Sequence, residues 1–276
     1  MRVAVVGHVE WIEFARVEHV PAAGEIVHAE EVWEEPGGGG AVAAVQLAKL
    51  AGDGLFVTAL GDDELGHRAH RELTALGLRV EAVFRPEPQR RGFVYVDRSG
   101  ERTITVIGDR MGPRGSDALP WDELADVDAL YFTAGDAATV RAARSAHTLV
   151  ASVRGIGVLR EAAVELDALL ASGKDVGERY SAGDLEPPPR AVARTSGSAG
   201  GAWESADGHT GSWEATSVAG PVADAYGCGD SFAAGFTFGL ADGRGLRGAT
   251  ELGARCGAAC LAGKGPYAGQ LTRAGL

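Results

Sequence analysis

Six short apolar runs punctuate the chain: Val3 to Val6, Leu55 to Leu60, Ala129 to Thr133, Thr148 to Val153, Ala168 to Ala171 and Ala191 to Thr195. None alternates strictly between apolar and polar residues, as a strand with one wet face would, so each reads as a strand buried on both faces. Helical stretches fall between and after them, at Ala41 to Leu50, Glu64 to Leu76, Ala137 to Ala146, Asp230 to Leu240 and Ala249 to Ala262. Alternating strands and helices of this kind predict a mainly parallel sheet covered on both faces, an α/β fold in three layers.

Two segments depart from that texture. From Glu10 to Glu35 the chain alternates polar and apolar residues around Pro21 and Gly24, which suits half-wet strands. Phe93 to Val96 and Ile104 to Ile107 read as a hairpin turning at Ser99 and Gly100. Together they predict a small group of half-wet strands, at about 10–35 and 90–107, on a single domain spanning 1–276. The segment Gly183 to Pro189 reads as a Pro-rich loop, and weaker strands are expected around Trp203, Trp213 and Val218, where Gly and Ser interrupt the pattern.

Charge narrows the partners. With a net charge of -12, the chain has no summed field to attract nucleic acid or anionic lipid. A mean hydropathy of -0.02 argues against a membrane protein. The start, Met1 to Gly7, lacks the features of a signal peptide, so a cytoplasmic location is expected. Cys228, Cys256 and Cys260 are an odd number, read as reduced thiols, and Cys256 and Cys260 as small core residues. Only Lys49, Lys174 and Lys264 are lysines, and asparagine is absent. Any site that would ordinarily use an Asn amide must here use something else.

The most informative stretch is Asp224-Ala225-Tyr226-Gly227-Cys228-Gly229-Asp230-Ser231-Phe232. Glycines at the start of a helix let an anion approach unpaired backbone N–H groups, and the helix dipole favours negative charge there. An aspartate beside such an anion hole would repel a phosphate, so its sensible task is to take a proton from an attacking hydroxyl. A helix cap is the simpler alternative for Asp230.

The surrounding pattern resembles the C-terminal signature of the ribokinase-like carbohydrate kinases, the PfkB family, with Cys228 where Ala is usual. The Gly37 to Gly40 loop and its Ala-rich helix resemble the N-terminal signature, and Gly61-Asp62-Asp63-Glu64-Leu65-Gly66 the step into the next helix. Pro21 to Glu25 and Arg91 to Thr103 are similar to lid elements, which implies a small β lid formed by about 10–35 and 90–107, and Thr195-Ser196-Gly197-Ser198-Ala199-Gly200 is similar to the nucleotide loop.

The resemblance implies a ribokinase-like fold and ATP-dependent transfer of the γ-phosphoryl group to a hydroxymethyl group of a sugar or nucleoside. It implies Asp230 as general base, Gly227, Cys228 and Gly229 as anion hole, and Thr195 to Gly200 against the nucleotide. Glu10, Gly38, Gly39 and Val42 would meet the acceptor, together with Asp230. Mg²⁺ is implied as cofactor, with Asp175 its weakly matched carboxylate, in a stretch carrying Ser172 where the family has Asn. Asp224 would organise the loop and, in potassium-activated members, a nearby monovalent-cation site. Val42 also stands where the family uses Asn. Lids of this type often pair, so a homodimer is expected.

Several residues stay open. Lys174 could meet a phosphate or be a solvated lysine. Arg91 could reach an anionic group on the substrate, with Arg90 beside it. Trp11, Trp33 and Phe14 could stack on a substrate or pack a dimer, and Trp203 and Trp213 read as packing near the nucleotide end. His8, His67 and His70 read as surface or turn residues. A silent, ligand-sensing relative and a nucleoside kinase are the alternatives to a sugar kinase. A dinucleotide-dependent oxidoreductase fails because Gly7-His8-Val9-Glu10 lacks Gly-x-Gly-x-x-Gly.

Overall fold

In chain order the first strands are β1 (Val3–Val6), β2 (Glu10–Arg16), β3 (Glu31–Gly37), β4 (Gly54–Gly61), β5 (Leu78–Arg85), β6 (Arg91–Val96) and β7 (Arg102–Ile107). They are followed by β8 (Ala129–Phe132), β9 (Thr148–Ser152), β10 (Ala168–Ser172), β11 (Ala191–Thr195), β12 (Gly201–Ser205) and β13 (Thr210–Trp213). The helices are α1 (Gly39–Ala51), α2 (Glu64–Ala75), α3 (Ala137–Ala143), α4 (Ile156–Ala162), α5 (Cys228–Ala241) and α6 (Gly245–Leu261). These come from a computed structural model that describes residues 1–276 apart from Lys174 and the side chain of Val176, so the expectation for Lys174 lies outside the described residues.

Nine strands form the main sheet in the order β13-β12-β11-β10-β9-β8-β1-β4-β5, with β13 and β12 antiparallel at one edge and the rest parallel. The three-layer expectation follows residue by residue. Val3 and Val5 face a core shared with α1, α5 and α6, whereas Ala4 and Val6, one position along, face a second core shared with α3 and α4. Because successive side chains on a strand point to opposite faces, a strand serving two cores must be apolar throughout. All four residues of β1 are buried accordingly.

The lid is a second sheet of four strands in the order β3-β2-β6-β7. Its inner strands, β2 and β6, run parallel, with Trp11 opposite Arg91 and Arg16 opposite Val96. Val17 to Glu30 is a loop between β2 and β3 rather than strand, since Pro21 and Gly24, at φ 84°, break the ladder. Trp11, Ile12 and Phe14 are wholly buried, and Phe14 stacks on Trp33 at 4.8 Å. The aromatic trio is thus lid packing.

Three further expectations change. Val218 lies in an irregular segment, not a strand. Strand β5 and helix α4 were not expected: β5 is an edge strand with mixed side chains, and α4 is only seven residues long. Cys256 and Cys260 are fully buried and all three thiols are free. Trp213 stacks on Phe232 at 5.5 Å, as packing. No helix among the described residues is long and apolar enough to cross a membrane.

Candidate active site

Two helices begin at the same place, and neither has a side-chain cap. Helix α1 starts from Gly38, at φ 85°, and α5 from Gly227, at φ 82°. Both φ values lie where only glycine sits without strain. The first N–H groups of α1 and α5 are therefore left for another acceptor, at the positive ends of both dipoles. Tyr226 fastens the two starts together: its hydroxyl oxygen accepts a 2.9 Å hydrogen bond from Gly38 N–H. Asp224, fully buried, holds the loop from below, its Oδ1 accepting from Tyr226 N–H at 2.8 Å and its Oδ2 from Gly265 N–H at 3.1 Å. Burial pushes the Asp224 carboxyl up, and those two donors oppose it. Neither the role of Tyr226 nor that of Gly265 was read from the sequence, since both depend on contacts between distant segments.

Asp230 lies in the first turn of α5, and the cap interpretation fails. Its carboxylate takes no hydrogen bond and no ion pair among the described residues. It faces Gly39 instead: a Cβ on Gly39 would lie 2.7 Å from Asp230 Oδ1. Burial, partly offset by Arg154, pushes this carboxyl up to about 6. An unbonded carboxylate with that affinity for protons can accept one near neutral pH.

The neighbouring residue of the same loop addresses a second carboxylate. A Cβ on Gly38 would lie 3.0 Å from Glu10 N and 3.2 Å from Glu10 Cγ. Glu10 and Asp230 thus flank two consecutive glycines. Glu10 is 8% exposed, with Arg90 Nε 2.8 Å from its Oε1, and burial raises its carboxyl while Arg90 opposes that rise. His8 sits beside them, 5% exposed, its Nε2 3.8 Å from Glu10 Oε1 and its Nδ1 3.4 Å from Thr133 Oγ1. The expectation of a surface or turn role for His8 is corrected: burial, then Arg110, Arg90 and Arg154, hold its ring neutral. His67 does stay exposed, 2.9 Å from Asp62.

Two more expectations are revised by orientation. Arg91 turns outward to Glu13 at 3.6 Å, while Arg90 turns inward to Glu10. Val42 has no exposed surface, and a Cβ on Gly227 would lie 2.9 Å from its Cγ1. Its side chain props the Gly227 turn from behind. Cys228 is half-buried; the neighbouring Cys260 thiol and burial both push its thiol up, so no thiolate opposes an anion there.

At the far end of the same sheet edge, β11 closes with Thr195. Gly197–Ala199 then forms a single exposed turn before Gly200, at φ 78°. Gly173 N–H bonds Thr195 O at 2.8 Å, so the ends of β10 and β11 lie side by side. Beyond β10, Asp175 lies 3.0 Å from Arg154, which also pairs with Glu178, a carboxylate the sequence reasoning missed. Near Trp213 a cavity of about 530 Å³ opens, lined also by Ser212, Thr216, Arg247 and Arg255.

The fold built around these helix starts is ribokinase-like. Ribokinase from Giardia lamblia superposes with a TM-score of 0.80 at 16% identity, over 99% of this chain and 97% of that one. Ribokinase from Arabidopsis thaliana, solved with ribose and ATP, gives 0.78 at 19% identity, over 99% and 96%. Residues 1–164 and 160–273 match the profile of the pfkB family carbohydrate kinases, and the chain belongs to that family. A curated relative, the ATP-dependent ribose-1-phosphate kinase of Halopiger xanaduensis, is 29% identical over 257 residues, 86% of this chain and 83% of the relative.

Proposed function

We propose that this sugar kinase transfers the γ-phosphoryl group of ATP to a hydroxymethyl group of its acceptor, with Asp230 as general base. The observation that carries the reading is the Asp230 carboxylate, unbonded and raised to about 6, beside two glycine-started helix N-termini. An acceptor lying on Gly38 and Gly39 would present its hydroxyl to Asp230. The hydroxyl oxygen forms a bond to the γ-phosphorus as the bond to the ADP oxygen breaks, and the proton passes to Asp230. Backbone N–H groups of Gly227, Cys228 and Gly229 would receive the charge on the transferring group, each well-placed donor contributing about 3 kcal/mol. Thr195, Ser196, Gly197, Ser198, Ala199 and Gly200 would lie along the nucleotide.

Asp175 and Glu178 are hard oxygen donors drawn to one guanidinium, Arg154, and such a pair suits Mg²⁺ held through water. When bound, Mg²⁺ neutralises the β and γ oxygens. Asp224 organises the loop. The lid would exclude water on closing, and its exposed Val32, Ile104, Val106 and Ile107 suit a homodimer contact, measurable as a doubled mass by light scattering.

The names of the relatives, ribose-1-phosphate kinase and ribokinase, support a sugar over a nucleoside acceptor. The test is ADP formation with ATP and Mg²⁺ across pentoses, hexoses, their phosphates and nucleosides, with the product located by phosphorus NMR. Sugar-dependent ADP release and a new phosphate ester are expected. Binding of a sugar without any turnover would overturn the kinase reading in favour of a sensor.

A further inference from the structure

His8 follows β1, and Thr133 follows β8, the strand beside it in the main sheet, so both lie where the C-terminal edge of that sheet meets the lid. Their contact fixes one side of the imidazole: Nδ1 is 3.4 Å from Thr133 Oγ1. The main chain of His8 is gripped as well, since a Cβ on Gly40 would lie 2.6 Å from both its N and its O. A side chain anchored at its backbone and at one ring nitrogen has little freedom, which is what a recognition group requires.

The opposite edge of the ring faces the glycine loop. A Cβ on Gly38 would meet His8 Cδ2 at 3.3 Å, and one on Gly39 would meet His8 Cε1 at 3.7 Å. Those two carbons flank Nε2 in the ring, so Nε2 is the atom turned toward the space that the missing Cβ atoms leave open. Asp230 bounds the same space, its Oδ1 2.7 Å from where the Gly39 Cβ would stand. The nearer carboxylate to the ring, Glu10 Oε1, is 3.8 Å from Nε2, beyond hydrogen-bond reach, and among the described residues no hydrogen bond satisfies that nitrogen.

The ring is buried and neutral, so it carries a single N–H. A carboxylate 3.8 Å away draws that hydrogen to Nε2, which leaves Nδ1 to accept from the Thr133 hydroxyl. The site thus sets a donor, His8 Nε2–H, beside an acceptor, Glu10, whose carboxylate has about four acceptor positions and is only partly occupied by Arg90. A donor and an acceptor side by side match two neighbouring hydroxyls of a sugar, one of which accepts while the other donates.

We propose that His8 is a specificity-determining residue of the acceptor site: its Nε2–H donates to one acceptor hydroxyl, Glu10 accepts from the next, and the hydroxymethyl group lies at Asp230. This rests on the phosphoryl-transfer reading above and adds a group that selects the acceptor.

The test uses D-ribose and ribose 1-phosphate, each with its 2-deoxy and 3-deoxy counterparts, as acceptors for the full chain and for His8→Ala, His8→Leu and His8→Gln. Binding of the same sugars is measured by calorimetry. In the wild type, loss of the hydroxyl that His8 meets should lower kcat/KM by about 30-fold. In His8→Ala the same deoxy sugar should come within about 3-fold of its parent, with KM for ATP unchanged. His8→Leu fills the volume without a donor and should behave likewise, which keeps the comparison if His8→Ala folds poorly. His8→Gln retains an N–H donor and should recover part of the discrimination. A histidine that only packs the turn would lower activity toward parent and deoxy sugars alike, so undiminished discrimination in His8→Ala or His8→Leu overturns the proposal and leaves the kinase reading intact. Binding that depends on the same hydroxyl in the wild type but not in those variants, without turnover, upholds the assignment of His8 and overturns the kinase reading. Failure of the wild type to bind either parent sugar, or binding indifferent to both hydroxyls, overturns the pairing of His8 and Glu10 with neighbouring hydroxyls.

Discussion

Replacing Asp230 by Asn should abolish turnover while making the protein more stable, and the two effects share one cause. The folded protein holds this carboxyl at about 6, against about 3.9 for an exposed aspartate. At neutral pH the ionised form is thus disfavoured by burial, and each pH unit of displacement is about 1.4 kcal/mol, giving about 3 kcal/mol as an upper bound for a side chain that water still reaches. The sign follows from a folded pKa that lies above the unfolded one. The carboxyl's contribution is intact below about pH 4 and is lost as pH rises through 6. Asn is neutral throughout and escapes that loss.

Thermal midpoints of Asp230→Asn and wild type should therefore agree at or below about pH 4 and diverge by up to about 5–10 °C at pH 8, the variant higher. Loss of the base should lower kcat by about 10²–10⁴-fold. In the wild type, the acid limb of kcat/KM should fall near pH 6, the pH at which the two stability curves stop diverging. Equal midpoints at pH 8, or an acid limb far from 6, would refute the burial argument and with it the assignment of Asp230 as base.

Two backbone predictions accompany it. Gly40→Ala would drive a Cβ to 2.6 Å from both His8 N and His8 O, main-chain atoms that cannot rotate away, so destabilisation of about 1–3 kcal/mol is expected in denaturant melts. Gly39→Ala meets only the mobile tip of Asp230, so the protein should fold normally by circular dichroism while kcat falls as the carboxylate is pushed aside. Tyr226→Phe leaves the buried Gly38 N–H without its acceptor and should cost about 1–3 kcal/mol, with a rise in KM for the acceptor; an unchanged melt would show that Gly38 does not depend on Tyr226.

The layered fold was legible because β1, β4 and β8 to β11 serve two cores and must be apolar along their length. Strand β5 escaped that logic because Arg79 and Glu81 on an edge need no burial. The start of α5, with Asp230 in its first turn, was legible because its signal is local: two residues without Cβ atoms and one acid. What the sequence concealed are side-chain directions where β1 leaves the main sheet and β6 enters the lid. Whether Arg90 or Arg91 turns inward depends on the pairing of Trp11 with Arg91, a register between segments some eighty residues apart. The contact of Val42 with the Gly227 turn was hidden for a related reason: a position on a helix does not say which neighbouring loop its side chain meets.

The parallel pairing of β2 with β6 also bears on how such proteins can diverge. The lid is not one insertion but two, one leaving the main domain after β1 and returning at α1, the other leaving after β5 and returning before β8. Neither excursion is a finished sheet, since removing one would strip the other of its inner partner and expose a row of unpaired N–H and C=O groups. Exchange of acceptor preference by grafting therefore has to move both excursions together. Point changes of side chains, by contrast, leave the ladder untouched, which makes retuning in place the easier evolutionary route.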